Sequence, residues 1–298
     1  MRGTDSARPF GRLLTAMVTP FGPAGELDLD AAASLAAYLV DEQGNDGLVV
    51  NGTTGEAPTT SDEEKSELVR AVVAAVGDRA AVLAGAGTFD TAHSTRLAQE
   101  AQKAGADGLL LVTPYYSKPP QAGIVAHMRA VADAVDIPTM LYDIPHRSGV
   151  AISEESLIAL AEHPRIVAVK DAKGDIASSS IVLSQSDLAY YSGEDKLTLP
   201  LLAIGAVGVV GTSTHVSGPG TKAMIEAFEA GDNPEALRLH RLLQPIYNGI
   251  FRTQGPILVK AALALRGRPV GGLRPPLLEA TEAETAQLRL DLAASGLE

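Results

Sequence analysis

The chain of 298 residues carries 36 acidic and 24 basic side chains, a formal net charge of −12, and no cysteine. The negative charge argues against nucleic acid or an anionic membrane as a partner, and the lack of cysteine excludes disulfides, thiolate nucleophiles and cysteine-bound metals. No apolar run approaches the roughly 20 residues of a membrane span, and residues 1–10 hold no apolar signal-peptide core. We therefore expect a cytoplasmic protein, built as one large α/β domain or as two smaller ones.

Up to residue 216, short apolar runs alternate with helical patterns. The apolar runs predict strands over residues 13–19, 47–51, 80–84, 108–112, 138–142, 166–169, 188–191 and 207–210. The segments between them predict helices over residues 28–40, 61–76, 90–104, 121–134, 153–161, 176–184 and 197–204. Because the strands are continuously apolar and recur every 20 to 35 residues or so, roughly the length of a βα unit, both of their faces are expected to be covered. The pattern predicts a (β/α)8 TIM barrel, with a doubly wound open sheet as the alternative.

From residue 217 onward the sequence shows no strand pattern. Its apolar spacing predicts helices over residues 221–230, 234–251, 256–266 and 281–295. We therefore divide the chain into a barrel that carries the active site, residues 1–216, and a carboxy-terminal helical extension packed on the barrel, residues 217–298.

A lysine ends the sixth predicted strand. Residues 166–169 are apolar, and Lys170 follows them directly, before a polar turn that contains glycine. If its stem is packed among apolar neighbours, burial lowers the pKa of the amine and favours the neutral form, which can form a Schiff base with a carbonyl compound. The alternative is a lysine whose ammonium group reaches water from the strand end.

Polar residues also follow several other predicted strands. A (β/α)8 barrel builds its active site at the carboxyl ends of its strands, so these residues are expected to converge on one face. They are Thr53 and Thr54 after strand two, Tyr115 and Tyr116 after strand four, Tyr142 and Arg147 after strand five, and Gly193 after strand seven.

Each of these positions has a functional and a structural interpretation. The turn at residues 52–55 offers N–H groups and hydroxyls to a carboxylate, or is simply a tight turn. Tyr142 is a candidate proton shuttle near Lys170, or a core tyrosine. Arg147 is a candidate fork for a carboxylate, or a surface charge. We expect Asp171 to cap or pair with a neighbour as a structural group.

Other chemistries find little support in the sequence. The six histidines form no HExxH or HxH pair, so a zinc site is unsupported. Residues 85–87 lack the third glycine of a dinucleotide-binding loop. The sequence contains neither a P-loop nor a Gly-x-Ser-x-Gly motif.

Four motifs stand in the order and spacing of a known family. They are Gly-Thr-Thr-Gly-Glu at 52–56, Pro-Tyr-Tyr-Ser-Lys-Pro at 114–119, Tyr-Asp-Ile-Pro-His-Arg-Ser-Gly at 142–149 and Val-Lys-Asp-Ala-Lys-Gly-Asp at 169–175. With them the whole chain, helical extension included, resembles the dihydrodipicolinate synthase and N-acetylneuraminate lyase family of class I pyruvate aldolases. It is most similar to the branch that condenses pyruvate with aspartate semialdehyde toward lysine and diaminopimelate, chiefly because of Arg147.

One segment departs from that branch. Residues 211–214 read Gly-Thr-Ser-Thr, which is nearer the lyase pattern and leaves the aldehyde acceptor open. One alternative is a related pyruvate-dependent lyase, dehydratase or hydratase-aldolase. Another, from a different class, is a catalytically silent binding member, against which the intact Lys170, Tyr142 and Thr53 argue.

The resemblance implies a mechanism. Lys170 forms an imine with pyruvate, and the enamine derived from it attacks an aldehyde. Tyr142 acts as general acid and base, relayed through Thr53 to Tyr116 of a neighbouring subunit. The implied assembly is a homotetramer built as a dimer of dimers, and no metal or dissociable cofactor is needed.

The resemblance also implies the binding contacts. Thr53 and Thr54 hold the pyruvate carboxylate, and Arg147 holds the carboxylate of the acceptor. The backbone carbonyls of Gly193 and Val210 line the site.

Some members of the family are inhibited by lysine bound at a subunit interface. The corresponding residues here remove favourable charge pairing and bring a like charge toward the incoming ammonium group, so we expect weak or absent inhibition. These residues are Ala57, Pro58, Asp62, Lys65, Phe89 and His93.

Overall fold

Eight parallel strands close into a barrel in the computed structural model, which describes residues 8–297. Each strand pairs with the next in chain order, and the last pairs with the first. The strands are β1 Leu13–Ala16, β2 Gly47–Val50, β3 Ala81–Gly85, β4 Gly108–Val112, β5 Thr139–Asp143, β6 Ile166–Asp171, β7 Ala189–Ser192 and β8 Gly208–Gly211. The predicted (β/α)8 barrel is confirmed, and the open-sheet alternative is wrong.

Helices surround the barrel and form the carboxy-terminal part of the chain. They are α1 Leu29–Asp41, α2 Asp62–Val76, α3 Thr91–Lys103, α4 Gln121–Asp133, α5 Pro145–Ser148, α6 Glu154–Ala161, α7 Ile176–Gln185, α8 Thr198–Leu202, α9 Thr214–Glu229, α10 Asn233–Gly249, α11 Gly255–Leu265 and α12 Glu282–Ala294. Short 3-10 turns at Ala57–Thr59 and Asp195–Leu197 follow β2 and β7.

Local capping groups lie at the starts of α2 and α12, two helices whose starts the sequence predicted. Ser61 accepts from the backbone N–H of Glu64, whose carboxylate accepts in return from the N–H of Ser61, and Thr281 and Glu284 repeat this arrangement before α12. Each capping box satisfies two N–H groups that the first helical turn would otherwise leave unpaired.

The start of α9 differs from the prediction. We expected a helix from residue 221, but α9 begins at Thr214 and contains Pro219. No side-chain cap marks its start; instead Asp195 holds the residues before the helix, by accepting hydrogen bonds from the N–H groups of Thr212 and Ser213. A contact with a residue 17 or 18 positions earlier in the chain leaves no local sequence signal. Helix α9 runs across the proposed boundary between residues 216 and 217. The division of the chain into two parts remains a prediction.

The core has two layers. Inside the barrel, apolar side chains from the strands fill the centre, as is usual for this architecture. A larger cluster lies between the strands and the helices, and it continues without a break into Tyr247 of α10, Leu263 of α11 and Leu288 of α12. The carboxy-terminal helices therefore share the hydrophobic core of the barrel.

The structure bears on one of the two expectations about membrane insertion and signal peptides. Among residues 8–297, no helix is long and apolar enough to span a membrane. The expectation that residues 1–10 lack a signal-peptide core rests mostly on residues 1–7, which lie outside the described residues.

Two leucines of α12 allow a matched test of this shared core. Leu288 is 0% exposed, whereas Leu290 on the same helix is 63% exposed. We expect Leu288→Ala to lower the free energy of unfolding by about 2–5 kcal/mol, because it opens a cavity in the core. Leu290→Ala should change it by about 0.5 kcal/mol or less. Urea-induced unfolding measures both, and equal losses would contradict the shared core.

Candidate active site

Lys170 lies buried near the carboxyl end of β6. Its side chain is 4% exposed, its backbone is in register with Tyr142 of β5, and its Nζ lies 4.3 Å from the centroid of the Tyr142 ring. Burial lowers the pKa of the amine to about 8, while the carboxylates of Asp195 and Glu194 act in the opposite direction. At pH 7 about a tenth of the amine is then neutral, against about 4 in 10,000 for an ordinary lysine. The geometry is that of an amine nucleophile.

Tyr142 of β5 and Tyr191 of β7 both pair in register with Lys170, and the Tyr142 ring lies against its amine. Burial raises the pKa of the Tyr142 phenol, and the charge of Arg147 and a hydrogen bond with the Thr53 side chain act against that rise. The phenol therefore stays protonated at neutral pH. It is placed to donate a proton to an oxygen held above Lys170.

A small cavity of about 50 Å³ caps the amine at this end of the barrel. Six of the eight residues to which the family resemblance assigns a role line it together: Lys170, Tyr142, Thr53, Thr54, Arg147 and Gly193. The cavity is also lined by Phe251, Gly255 and Pro256, which come from the carboxy-terminal helical region.

The turn after β2 presents two threonines to this cavity. Its shape is held by backbone hydrogen bonds from Gly55 N–H to the carbonyl of Gly52 at 3.1 Å and from Glu56 N–H to the carbonyl of Thr53 at 3.2 Å. Thr53 is exposed and faces the opening, whereas Thr54 is buried with its hydroxyl 3.5 Å from that of Thr212. Hydroxyls and N–H groups in a tight turn are suited to holding a carboxylate.

Two of the predicted residues do not line the cavity. Val210 is buried within β8, and Thr212, two residues further along, lines the cavity instead. Tyr116 is 90% exposed and points away from its own chain's site, with a positive φ of 71° that a tyrosine rarely adopts. Its neighbour Tyr115 packs edge-on against Phe89, with ring centroids 5.5 Å apart.

Asp195 is a residue of the site that the sequence reasoning missed. Its buried carboxylate accepts from the N–H of Thr212 at 3.1 Å, the N–H of Ser213 at 3.0 Å and the hydroxyl of Ser213 at 2.5 Å. A Cβ added to Gly211 would lie 2.8 Å from this carboxylate, so the glycine is required by the close approach. Asp195 thus fixes the segment after β8 and places a negative charge near Lys170.

The neighbouring Asp171 behaves as predicted. Its Oδ1 accepts from the N–H of Lys173 at 2.9 Å, and its Oδ2 accepts from the hydroxyl of Ser179. The carboxylate closes the turn after β6, which is a structural role.

A wider cleft of about 540 Å³ adjoins the small cavity. The two share Thr53, Tyr142, Ile144 and Arg147, so the cavity above Lys170 opens toward this cleft. The cleft is also lined by all six residues of the expected lysine site: Ala57, Pro58, Asp62, Lys65, Phe89 and His93.

Comparison with known proteins shows which family this chain resembles. The family model described as the dihydrodipicolinate synthetase family matches residues 9–295. A relative named 4-hydroxy-tetrahydrodipicolinate synthase from Acidothermus cellulolyticus is 66% identical over 295 residues, which cover 98% of this chain and 96% of the relative. A relative named 4-hydroxy-tetrahydrodipicolinate synthase 2 from Streptomyces coelicolor is 60% identical and covers 97% of each chain.

The fold comparison agrees with the sequence comparison. The crystal structure of the enzyme abbreviated DHDPS from Cyanidioschyzon merolae, with lysine bound, is 45% identical to this chain. It superposes with a TM-score of 0.94 and covers 97% of this chain and 99% of its own. Matched over nearly its whole length in sequence and in fold, this chain belongs to the dihydrodipicolinate synthetase family.

Proposed function

We propose that this chain is a 4-hydroxy-tetrahydrodipicolinate synthase, which condenses pyruvate with L-aspartate 4-semialdehyde toward lysine and diaminopimelate. The observation that carries the proposal is the buried amine of Lys170, with its lowered pKa, beside Tyr142 at the carboxyl end of the barrel. Relatives that are 59–66% identical carry the name of this synthase. The composition fits a cytoplasmic site of action.

The first half of the reaction makes pyruvate nucleophilic. The neutral amine of Lys170 attacks the ketone carbon, and the carbinolamine takes a proton from Tyr142 and loses water to give a protonated imine. The imine withdraws electrons from the neighbouring methyl group, which gives a proton back to the Tyr142 phenolate and leaves an enamine. The hydroxyls and N–H groups of the turn that holds Thr53 and Thr54 bind the carboxylate of pyruvate. Lys170 itself supplies the electron sink, so the chemistry needs no dissociable cofactor.

The second half joins the two substrates. The enamine carbon attacks the aldehyde, and the new alkoxide takes a proton from Tyr142. Tyr142 is reprotonated through the Thr53 hydroxyl, and Tyr116 of a neighbouring subunit connects this relay to solvent. The near-complete exposure of Tyr116 and its strained backbone support a role outside its own chain.

The identity of the aldehyde acceptor is the part of the proposed function for which there is an alternative. Gly211 and Thr212 depart from the synthase branch, and Thr212 lines the cavity, so an acceptor other than aspartate semialdehyde is the alternative. Arg147 favours the synthase, because an exposed guanidinium at the opening suits an acceptor that carries a carboxylate. An assay with pyruvate and a panel of aldehydes decides between them.

The experiment that tests the proposal is trapping of the imine. Borohydride added with pyruvate should attach pyruvate to Lys170, as mass spectrometry of peptides detects, and Lys170→Ala should abolish both the adduct and the activity. Because burial lowers the pKa of Lys170 to about 8, the rate of adduct formation should rise with pH and level off above about pH 8. Lys173→Met, which alters a lysine three residues away, is the control and should keep the adduct. Labelling that persists in Lys170→Ala would refute the assignment.

A second prediction concerns Arg147. A bidentate pair with the acceptor carboxylate is worth about 1.5–3 kcal/mol. We therefore expect Arg147→Ala to lower kcat/KM for the acceptor by about 10- to 150-fold, with little change in the trapping of pyruvate. Arg147→Lys keeps the positive charge that acts on Tyr142 and Lys170 but cannot make the bidentate contact. It therefore measures the effect of losing that contact alone. Equal loss of pyruvate trapping and acceptor use would indicate a structural role.

A third prediction concerns Tyr116 and the proposed tetramer. Lys170→Ala and Tyr116→Phe should each be inactive, but mixing them under subunit exchange should restore part of the activity, because a mixed pair contains one complete site. Mixing Lys170→Ala with Tyr142→Phe is the control, since both lesions lie in the same chain's cavity and no site is restored. A solved structure 35% identical to this chain is described as a monomeric variant, so sedimentation should accompany the assay. A fully active monomer would contradict the shared site.

A fourth prediction concerns inhibition by lysine. In the wider cleft, the carboxylate of Asp62 is already paired with His93 at 2.9 Å, and Lys65 lies nearby and donates to the carbonyl of Thr60 at 2.5 Å. An incoming ammonium group would have to displace His93 and approach Lys65. We expect weak or absent inhibition when lysine is titrated into the assay, and half-inhibition well below about 1 mM would contradict this.

A further inference from the structure

Glu56 ends the Gly52–Glu56 turn, yet the reaction as described gives it no role. Its side chain is 1% exposed, and both of its oxygens are paired. Oε1 accepts from Nζ of Lys260 at 2.8 Å, and Oε2 accepts from the backbone N–H of Arg274 at 2.9 Å. A charged group that is buried and fully paired in this way is fixed in place.

Lys260 provides the other half of the pair from the middle of α11. Its side chain is 4% exposed, and its Nζ also donates to the carbonyl of Gly272 at 2.5 Å and lies 4.6 Å from the centroid of the Phe21 ring. Burial lowers the pKa of this amine, and the contact with Glu56 raises it. The ammonium group is thus held by a carboxylate, a carbonyl and an aromatic face.

Arg274 extends the same attachment to the start of α2. Its guanidinium pairs with the carboxylate of Glu64 and donates to the carbonyls of Thr59 and Gly25. The segment from Glu56 to Glu64 is therefore joined to the carboxy-terminal part of the chain at two successive places.

The connection to the active site runs through the backbone of Glu56. This residue has a positive φ of 55°, and its N–H closes the turn on the carbonyl of Thr53. A residue with a Cβ adopts this left-handed conformation when its surroundings impose it. The first residues of α11, Gly255 and Pro256, line the cavity above Lys170. The same helix therefore walls the cavity and holds the turn that faces it.

We infer that the Glu56–Lys260 ion pair is a positioning device of the active site, which ties the Gly52–Glu56 turn to α11 and so holds Thr53 and Thr54 in place for the substrate carboxylate. The inference rests on the proposed function, in which these threonines bind pyruvate. It assigns the carboxy-terminal helix a part in substrate binding.

A pair that merely stabilised the fold would have a different signature. Removing one partner leaves a buried charge without compensation and destabilises the protein in either case. A positioning role adds a selective loss of affinity for pyruvate, since the turn then has no fixed orientation. Binding of the acceptor through Arg147 does not depend on this turn and should be little affected.

The test compares Glu56→Gln, Lys260→Met and the double variant with the wild-type protein. The readouts are the pyruvate concentration for half-maximal borohydride trapping, the KM for the acceptor and the Tm. We expect each single variant to raise the half-saturating pyruvate concentration by about tenfold and the KM for the acceptor by less than about twofold. The double variant should be no worse than the single ones, because both break the same contact.

Asp46→Asn serves as the matched control. Asp46 also accepts from a lysine, Lys222 at 3.4 Å, and from backbone N–H groups, those of Arg12 at 2.8 Å and Leu13 at 3.0 Å. It lies just before β2, at the amino-terminal end of the barrel and thus opposite the site. This variant should lower the Tm and leave the half-saturating concentration of pyruvate within about twofold of the wild-type value.

The outcomes separate the inference from the proposed function. Wild-type protein that is not labelled by pyruvate would refute both. If the wild-type protein is labelled, and Glu56→Gln and Lys260→Met have a lower Tm but bind pyruvate normally, only the inference is refuted. Additive effects in the double variant would also refute the inference alone. If Glu56→Gln does not fold, Glu56→Asp keeps the charge but shortens the reach by one methylene. It should then raise the half-saturating pyruvate concentration, and an unchanged value would overturn the inference.

Discussion

The removal of the Lys170 amine from water is the constraint on which the site depends. The barrel achieves it by closing eight strands, so that the end of β6 is enclosed by its neighbours and the phenol ring of Tyr142 covers the amine. Desolvation alone would favour the neutral form strongly, but the carboxylates of Asp195 and Glu194 counter it, and the pKa settles at about 8. An amine with this pKa is neutral often enough at neutral pH to attack a ketone.

Asp195 connects this balance of charge to the shape of the site. The same carboxylate that acts on Lys170 holds the two N–H groups before α9 and forces a glycine at position 211. Buried negative charge is costly, and here three hydrogen bonds compensate it. One group therefore fixes the segment between β8 and α9 and also acts on the pKa of the Lys170 amine.

Most of the fold could be predicted from the sequence because its signals are local. Continuous apolar runs predicted the strands, and the helices predicted from residues 61 and 281 begin in the structure at the capping boxes of Ser61 and Thr281. The start of α9 could not be predicted, since no side chain caps it and the residues before it are held by the distant Asp195. In the site, six of the eight residues converge because strand ends meet on one face. Tyr116 is exposed and does not line the cavity, and only the proposed mechanism gives it a role, in a neighbouring chain.

The contrast between two buried lysines supports Lys170 as the nucleophile of the proposed reaction. As whole residues Lys170 and Lys260 are 4% and 5% exposed, and burial lowers the pKa of both. Lys260 has the carboxylate of Glu56 at 2.8 Å, so its charge is compensated and its amine is committed to holding the turn. For Lys170, no carboxylate oxygen among residues 8–297 lies within salt-bridge distance, and the charges that stabilise its ammonium form act from further away. Burial alone therefore does not distinguish the two lysines, whereas the carboxylate that contacts Lys260 does.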